Sequence, residues 1–183
     1  TFKLFEFARK NKINKIVAAS TGGAIAGDYN KVINELTLPK PISPYGITKL
    51  FIESLAFSYN VSFKMKISCL RFSNVYGPYC HRKESVISIF LKNIIKNKTL
   101  IVYGDGNQKR DYIHVNDITL GIYRAIINKK FGIYQFSTGK STSINKLIKI
   151  IKEDVGKNHK LKIRYKNKRV GEVYQTRISN KKA

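Results

Sequence analysis

A tyrosine and a lysine that stand four residues apart carry the clearest chemical signal in this sequence. Tyr45 and Lys49 fall at the start of a long apolar helical pattern, so their side chains lie on one face about one turn apart. An ammonium group beside a phenol favours the phenolate, which lowers a tyrosine's pKa from about 10 toward the range of a general base. Helices contain such pairs by chance, so the spacing predicts a base only together with its surroundings.

Two hydroxyl side chains precede this pair at the end of a predicted strand. The apolar run 15–20 ends in Ser20, and Thr21 follows directly. Open α/β sheets bind their ligands at the carboxyl ends of the strands. The sequence therefore predicts a ligand site between this strand end and the helix that bears Tyr45 and Lys49.

Helical and strand-like patterns alternate from one end of the chain to the other, without an internal repeat. This alternation is typical of βα units around a mainly parallel sheet. With 183 residues, of which 43% are hydrophobic, the chain can bury one core but not two large ones. We predict helices over 1–11, 45–60, 85–96 and 143–155, a further helix that begins at Asn116 or Asp117, and strands over 15–20, 66–71, 100–103, 133–136 and 160–165.

The formal net charge of +24 raises the question of a nucleic-acid partner. A basic surface attracts phosphates and releases their counterions. However, 27 of the 35 basic residues are lysines, scattered over every segment, whereas nucleic-acid readers cluster their charge and favour arginine at base contacts. We interpret the charge as solvated lysine and expect no nucleic-acid partner, with a basic nucleic-acid binder built on this fold as the alternative.

The ends and the cysteines of the chain bear on its compartment. No run of about 18 apolar residues is present, and residues 1–12 form an amphipathic helical pattern instead of a signal peptide. Cys69 and Cys80 are too few for a disulfide framework, so we expect a cytoplasmic protein with no membrane partner. The helical pattern begins at Thr1 without an N-cap residue before it, from which we expect that an N-terminal segment is missing.

Five segments in a fixed order give the chain a family resemblance that spans nearly its whole length. They read STGGAIAG, PISPYGITK, LRFSNVYGP, VYGDGNQKRDYIHVNDI and RVGEV. In these segments the chain resembles the extended short-chain dehydrogenase/reductase family, and within it the UDP-glucose 4-epimerases. The resemblance implies an α/β fold, a Rossmann-like doubly wound parallel sheet that binds NAD, with a small C-terminal lobe that binds the nucleotide sugar.

The resemblance also implies a division of the chain and a partner. Residues 1–75 match the C-terminal part of the NAD-binding Rossmann domain, with the catalytic tyrosine and lysine. Residues 76–183 match mostly the nucleotide-sugar-binding lobe, and elements at about 110–137 return to the Rossmann domain. The full-length form is expected to be a homodimer.

By the same resemblance, Tyr45 and Lys49 are the catalytic pair, and Lys49 also hydrogen-bonds the nicotinamide ribose. The family has a serine or threonine that bridges the sugar hydroxyl and the tyrosine, and a strict count back along the chain puts Gly22 at that place. Thr21 is the nearest hydroxyl and is assigned the role, the alternative being that it only caps the strand end. The implied cofactor-binding residues are Tyr45, Lys49, Ser20 and Phe72.

Five further residues match the family's substrate contacts. Asn74 matches a residue that touches the substrate's phosphate or sugar, and Tyr103 the ring that stacks on uracil. Arg110 and Arg169 match the two arginines that grip the diphosphate, since a planar guanidinium meets phosphate oxygens bidentately. Glu172 matches an acid that binds the uridine ribose hydroxyls. Ordinary packing is the alternative for Phe72, Asn74 and Tyr103, and an ordinary surface acid for Glu172.

The reaction that the resemblance implies is reversible oxidation at C4 of a UDP-sugar, with Tyr45 taking the hydroxyl proton while a hydride passes to NAD. A 4,6-dehydratase would need an acid and a base where this chain has Gly22, Gly23 and Ala24. Other NAD-dependent nucleotide-sugar enzymes, such as a dehydratase, a decarboxylase or a reductase, and a non-catalytic remnant are the alternatives. Thr176 falls beside the sugar's C2 substituent, where its small size would admit an acetamido group.

Two absences complete the expectations. Asp111, His114 and Asp117 belong to a predicted strand that runs into a capped helix, and no other cluster completes a metal site, so we expect no metal. The sequence has no G-x-x-G-x-x-G turn, whose backbone would cradle the cofactor's pyrophosphate. We therefore expect a fragment that, as written, binds NAD poorly and turns over little or nothing.

Overall fold

The elements of the fold follow the predicted alternation of helices and strands. The computed structural model describes residues 1–82, 84–154, 161–169 and 173–183. The helices are α1 (Phe2–Lys10), α2 (Gly23–Ala26), α3 (Pro44–Phe63), α4 (Val86–Ile95), α5 (Val115–Ile127) and α6 (Ile144–Asp154), with a short 3-10 helix at Cys80–Arg82. The strands are β1 (Lys15–Thr21), β2 (Lys66–Phe72), β3 (Asn74–Tyr76), β4 (Leu100–Tyr103), β5 (Lys109–His114), β6 (Ile133–Phe136), β7 (Ser141–Ser143) and β8 (Ile163–Lys166).

A parallel sheet with the strand order β1-β2-β6 forms the first half of the fold. Helices α1 and α3 pack on this sheet through one buried cluster, and α5 also contacts β1 and β2. Because all three strands run in the same direction, their carboxyl ends meet at one edge. The buried cluster consists of Phe5, Ala8, Ala56, Tyr59, Met65, Ile67 and Cys69.

The start of α3 is fixed by a cap and by a close approach. Ser43 caps the helix, since its hydroxyl accepts a hydrogen bond from the Gly46 amide at 3.1 Å, and Pro44 takes the first helical position. A Cβ atom on Gly46 would lie 2.3 Å from the Ala24 carbonyl oxygen, so only glycine fits there. The first turn of α3 therefore lies directly against α2 at the carboxyl end of β1.

Two smaller sheets make up the second half. Strand β3 pairs in parallel with β5, which pairs antiparallel with β7, and β4 pairs in parallel with β8. The carboxylate of Asp111 connects these sheets to the first one, because its Oδ1 accepts hydrogen bonds from the Ser73 hydroxyl and the Thr138 amide, each at 2.9 Å. The core beneath α4 and α6 consists of Phe90, Ile94, Leu100, Val102, Ile144, Leu147, Ile148 and Ile151.

The structure confirms the predicted α/β class and most of the predicted elements. The strands at 100–103 and 133–136 have the predicted bounds, and α3 continues to Phe63, beyond its predicted end at 60. The predicted cap of α5 was wrong: His114 caps the helix through Nδ1, which accepts from the Asn116 amide at 3.3 Å. Position 155, the predicted end of the sixth helix, and position 160, the predicted start of the last strand, lie outside the described residues.

The elements that the sequence did not predict are short, namely α2, β3, β7 and the 3-10 helix at Cys80–Arg82. In the segment 173–183, isolated bridges join Gln175 to Lys109 and Ile178 to Ile33. In the described part of the chain, no helix combines the length and the apolar character that crossing a membrane requires. The proposed division at residue 75 stays a prediction.

Candidate active site

The tyrosine–lysine pair stands on the first two turns of α3, facing the end of β1. The Lys49 ammonium donates a hydrogen bond to the Ala19 carbonyl oxygen at 3.0 Å and lies 5.8 Å from the centroid of the Tyr45 ring. The Tyr45 side chain is 55% exposed. The lysine is thus held between a strand and a phenol that solutes can reach.

A cleft of about 410 Å³, called the Tyr45 cleft below, opens beside this pair. It brings together five of the residues that the sequence singled out, although they come from different elements of the fold. Thr21 and Phe72 are the last residues of β1 and β2, Asn74 is the first of β3, and Arg110 belongs to β5. With Tyr45 on α3, these residues line one continuous surface.

A side chain at position 22 would have to displace the buried amide of Gln135. A Cβ atom on Gly22 would lie 2.2 Å from the side-chain oxygen of Gln135, which is 0% exposed. Neither polar atom of the Gln135 amide has a hydrogen-bond partner within the described residues. Thr21, next to Gly22, lines the cleft, as do the hydroxyl residues Ser73 and Thr176. The catalytic role of Thr21 stays a prediction.

Ser20 does not face the cleft, contrary to what its assignment as a cofactor-binding residue would require of its side chain. It is 4% exposed, and its hydroxyl donates to Glu53 Oε1 at 2.5 Å. Successive side chains of a strand point to opposite faces, so Ser20 turns inward while Thr21 lines the Tyr45 cleft. Only the backbone of Ser20 is left for a cofactor contact.

A second cleft of about 360 Å³, called the Arg169 cleft below, adjoins the first. Asn74 and Arg110 line both clefts, and Tyr103 and Arg169 line the second. The structure therefore places the predicted proton-transfer residues and the predicted nucleotide contacts along one path that Asn74 and Arg110 share.

In the Arg169 cleft, the Arg169 guanidinium lies 3.8 Å from the centroid of the Tyr103 ring. The hydrogen bond and the positive charge of Arg169 lower the pKa of Tyr103. Since the guanidinium covers one face of the ring, a nucleotide base that stacks on Tyr103 has to use the other face.

The two shared residues are oriented by main-chain contacts. Arg110 donates through Nη1 to the carbonyl oxygens of Lys109 at 2.9 Å and Tyr174 at 3.2 Å. The Asn74 amide nitrogen donates to the Asp111 carbonyl oxygen at 3.0 Å. Both side chains therefore hold a defined direction at the junction of the clefts.

Sequence reasoning missed two residues of the Arg169 cleft. The Tyr112 hydroxyl is buried without a partner in the described structure, and burial raises the pKa of Tyr112 to about 12. The Gln108 amide donates to the Tyr103 carbonyl oxygen at 2.7 Å. Tyr112 follows Arg110 by two residues on β5, so the two-residue period of a strand was a signal that would have found it. Nothing in the pattern around Gln108 marks it.

Two other expectations meet the limits of the described chain. Glu172, the predicted ribose contact, lies outside the described residues. Among the residues that the structure describes, no group of three or more His, Cys, Asp and Glu side chains is arranged to hold a metal ion. Thr176 lines the Tyr45 cleft with a buried hydroxyl, and its proximity to a sugar substituent stays a prediction.

Comparisons with known proteins define the class of the chain. The model of the NAD dependent epimerase/dehydratase family matches residues 1–136. A putative UDP-glucose 4-epimerase from Methanocaldococcus jannaschii is 40% identical over 186 residues, which cover 100% of this chain and 60% of that protein. The chain thus spans about three-fifths of that relative's length.

Two solved structures share the fold. The UDP-glucose 4-epimerase from Thermotoga maritima, crystallised with UDP-glucose, has a TM-score of 0.92 and 33% identity over 98% of this chain and 59% of that chain. The UDP-glucose 4-epimerase from Thermus thermophilus, in complex with NAD, has a TM-score of 0.91 and 29% identity, with coverages of 99% and 60%. The fold is therefore that of Rossmann-type nucleotide-sugar enzymes. The chain belongs to the NAD dependent epimerase/dehydratase family.

Proposed function

We propose that this chain contributes the proton-transfer and substrate-binding residues of an enzyme that inverts C4 of a UDP-sugar with the help of NAD. The observation that carries this proposal is the junction of the two clefts at Asn74 and Arg110. A nucleotide sugar whose diphosphate meets Arg110 can place its sugar beside Tyr45 and its base beside Tyr103. Both relatives with solved structures carry the name of this activity.

The residues around the Tyr45 cleft fit the nicotinamide end of NAD. The Lys49 ammonium has three hydrogens and spends one on Ala19, so two can meet ribose hydroxyls. The Phe72 ring borders the cleft and is held edge-to-face by Phe136, with ring centroids 6.1 Å apart. When bound, NAD supplies the reversible oxidation of the sugar carbon.

The chain's own residues move the proton. Tyr45 accepts the proton of the C4 hydroxyl and returns it after the ketone has turned over. The Lys49 ammonium, 5.8 Å from the centroid of the Tyr45 ring, places a positive charge beside the phenol. Thr21 donates to the same sugar oxygen from the end of β1, which is a role that its place in the cleft supports.

The Arg169 cleft holds the nucleotide. Arg110 and Arg169 donate to the diphosphate, because a guanidinium pairs with phosphate oxygens bidentately. Tyr103 offers the ring face opposite Arg169 to the uracil base. Glu172 is proposed, from the family resemblance alone, to accept hydrogen bonds from the ribose hydroxyls.

Elimination chemistry finds less support than epimerisation. A dehydratase needs an acid near the C6 hydroxyl, and Gly22 and Gly23 leave no side chain for it. A side chain at position 22 would have to displace the Gln135 amide, and a Cβ atom on Gly23 would lie 3.0 Å from Thr176 Cγ2. A decarboxylase or a reductase of the same family is the second candidate, since neither needs that acid.

Tyr45→Phe tests the proposed base. Turnover of UDP-glucose with NAD is measured on the whole natural polypeptide that carries this sequence, and we expect kcat to fall by about 10²-fold or more with KM nearly unchanged. Tyr123→Phe, on α5 and 60% exposed, is the matched control and should keep full activity. A Tyr45→Phe enzyme that retains the wild-type kcat would refute the assignment.

A second copy of this chain is proposed to cover the outer face of α3. Five residues of α3 follow the spacing of a helix–helix seam, four and three residues apart in turn, and all five are exposed. The small serines permit close approach of a partner helix, which favours association with a second copy over a face that stays exposed to solvent. The residues are Ile47, Phe51, Ser54, Ser58 and Val61.

Phe51→Glu tests this homodimer. We expect sedimentation equilibrium to show a dimer for the wild type and a monomer for Phe51→Glu, because burying an unpaired carboxylate in an apolar seam is costly. Ile126→Glu, which is 51% exposed on α5, should stay dimeric. A wild-type chain that sediments as a monomer contradicts the proposal.

We also propose a reducing, cytoplasmic location for the protein, since Cys69 and Cys80 are both free thiols.

A further inference from the structure

A buried ion pair lies one helical turn beyond Lys49. Glu53 Oε1 accepts from Arg71 Nε at 2.8 Å, and Glu53 Oε2 accepts from Arg71 Nη2 at 2.7 Å. Both side chains are 3% exposed. Buried charges are tolerated when their geometry is well satisfied, and this bidentate pairing meets that condition.

The same carboxylate also holds the end of β1. The Ser20 hydroxyl donates to Glu53 Oε1 at 2.5 Å, and the neighbouring Ala19 carbonyl accepts from Lys49 at 3.0 Å. Helix α3 therefore grips two consecutive residues of β1 with two side chains that stand four residues apart. Because there are two attachment points, the end of β1 can neither rotate about its own axis nor slide along α3 without breaking a hydrogen bond.

The attachment includes the neighbouring strand as well. Arg71 of β2 stands opposite Ser20 of β1 in the sheet register, so Glu53 ties both strands to α3. The next residues of the two strands are Thr21 and Phe72, which line the Tyr45 cleft. Any displacement of the cluster is thus passed to the cleft through one peptide unit on each strand.

We propose, on the basis of the function proposed above, that Ser20, Glu53 and Arg71 are positioning residues, which hold Thr21 and Lys49 in register with Tyr45 for proton transfer. None of the three lines either cleft. A displacement of about 1 Å in a catalytic arrangement can cost about 10²-fold in rate, so a loosened cluster lowers kcat even when the fold survives.

The nucleotide contacts lie on other elements, and this separates the effect on rate from the effect on affinity. Tyr103 and Arg110 belong to β4 and β5, and Arg169 follows β8. A defect confined to the Ser20–Glu53–Arg71 cluster is therefore expected to lower kcat and to leave the affinity for UDP unchanged. General destabilisation would weaken both.

The chain contains a matched control at the far end of α3. Glu6 accepts from Arg9 Nε and Nη2 at 3.0 Å and 2.9 Å, and it also accepts from the Tyr59 hydroxyl. Like Glu53, it joins a guanidinium and a hydroxyl and fastens α3 to its neighbour. None of Glu6, Arg9 and Tyr59 lines the Tyr45 cleft.

The test compares Ser20→Ala with Tyr59→Phe and Glu53→Gln with Glu6→Gln in the whole natural polypeptide. We expect Ser20→Ala to lower kcat for UDP-glucose about tenfold and Glu53→Gln about 10²-fold, with the Kd for UDP and the KM within twofold of wild type. Both control variants should keep kcat within twofold. Ser20→Ala leaves the ion pair intact, so it serves even if Glu53→Gln does not fold.

Amide hydrogen exchange supplies a readout that does not depend on turnover. In Ser20→Ala, exchange at the ends of β1 and β2 should rise at least tenfold, whereas Tyr59→Phe should leave it unchanged. Wild-type kcat and wild-type exchange in Ser20→Ala would overturn the proposal, and so would an equal loss of kcat and UDP affinity. If the wild type turns over neither UDP-glucose nor its N-acetylated counterpart, the proposed function fails. Unchanged exchange at Thr21 in Ser20→Ala then overturns the positioning role of the Ser20–Glu53–Arg71 cluster by itself.

Discussion

Arg169 acts as a unit with the ring of Tyr103. Its guanidinium lies 3.8 Å from the ring centroid and borders the cleft that Arg110 also lines. A planar guanidinium can stack on a ring and still direct hydrogen bonds toward a phosphate, which a lysine ammonium does less well. The stacking therefore orients Arg169 before a nucleotide arrives, so less conformational freedom is lost on binding.

Arg169→Ala is expected to weaken UDP binding by about 2 kcal/mol, or roughly 30-fold in Kd, because a hydrogen bond to a charged group is lost. Arg169→Lys should give an intermediate loss, since the charge stays but the planar contact does not. Isothermal titration with UDP measures both effects. Arg164→Ala, which removes the same charge from an exposed position on β8, is the control. If Arg164→Ala weakens UDP binding as much as Arg169→Ala does, the loss comes from the net charge and not from a contact of Arg169.

Among the elements, α1 is fastened to α3 by one carboxylate. Glu6 receives hydrogen bonds from Arg9 and Tyr59, and the Arg9 guanidinium lies 4.9 Å from the centroid of the Phe63 ring. The Arg9 hydrogen bond, followed by that of Tyr59, lowers the pKa of Glu6 to about 2. The ionised form of Glu6 is therefore the one that the folded state stabilises.

This shift predicts how stability depends on pH. Because the pKa of Glu6 is lower in the folded chain than its ordinary value of about 4.3, its contribution is complete above that value and is lost as pH falls toward about 2. Urea unfolding at a series of pH values should show wild type more stable than Glu6→Gln at pH 7, with the difference shrinking as the pH falls below about 4.3. A difference that stays constant down to pH 2.5 would contradict the assignment.

How well an element can be predicted from the sequence depends on its length and on whether a residue such as glycine marks its end. The bounds of β4 and β6 follow from short apolar runs next to Gly104 and Gly132, both at positive φ. Helix α2 spans too few residues for a helical period to show. The cap of α5 was misplaced because the capping group is the His114 imidazole, whereas side-chain oxygens are the usual signal.

The candidate site was predictable where roles follow from residue type and spacing. The Tyr45–Lys49 pair beside the strand end at Thr21 falls into this class, whereas Asn74 and Arg110 were predicted only through the family resemblance. The catalytic and binding roles of all these residues stay predictions. What the sequence could not reveal depends on packing between distant segments. Gln135 beneath Gly22 is one example, and the inward turn of Ser20 is another, since a strand's alternation does not say which face its partner helix covers.

At the scale of the whole molecule, the chain is unequal in what it offers to its two proposed nucleotides. The residues proposed to bind the UDP diphosphate and base, Tyr103, Arg110 and Arg169, all line one cleft. For NAD, the contacts proposed among the described residues all concern the nicotinamide end, through Tyr45 and Phe72 in the other cleft and the adjacent Lys49. The sequence holds no G-x-x-G-x-x-G turn to receive the pyrophosphate.

This inequality predicts that the 183-residue chain binds UDP-glucose at least tenfold more tightly than NAD. Guanidinium–phosphate pairs contribute about 1.5–3 kcal/mol each, and they act on UDP-glucose alone, whereas NAD would lose the backbone cradle that normally holds its pyrophosphate. Isothermal titration of the same preparation with each ligand measures the two affinities. Arg110→Ala should weaken the binding of UDP-glucose and leave any binding of NAD unchanged. Equal affinities for the two ligands would contradict this prediction. An NAD affinity that falls in Arg110→Ala would mean that the Arg169 cleft also binds NAD, and the assignment of one cleft to each ligand would then be wrong.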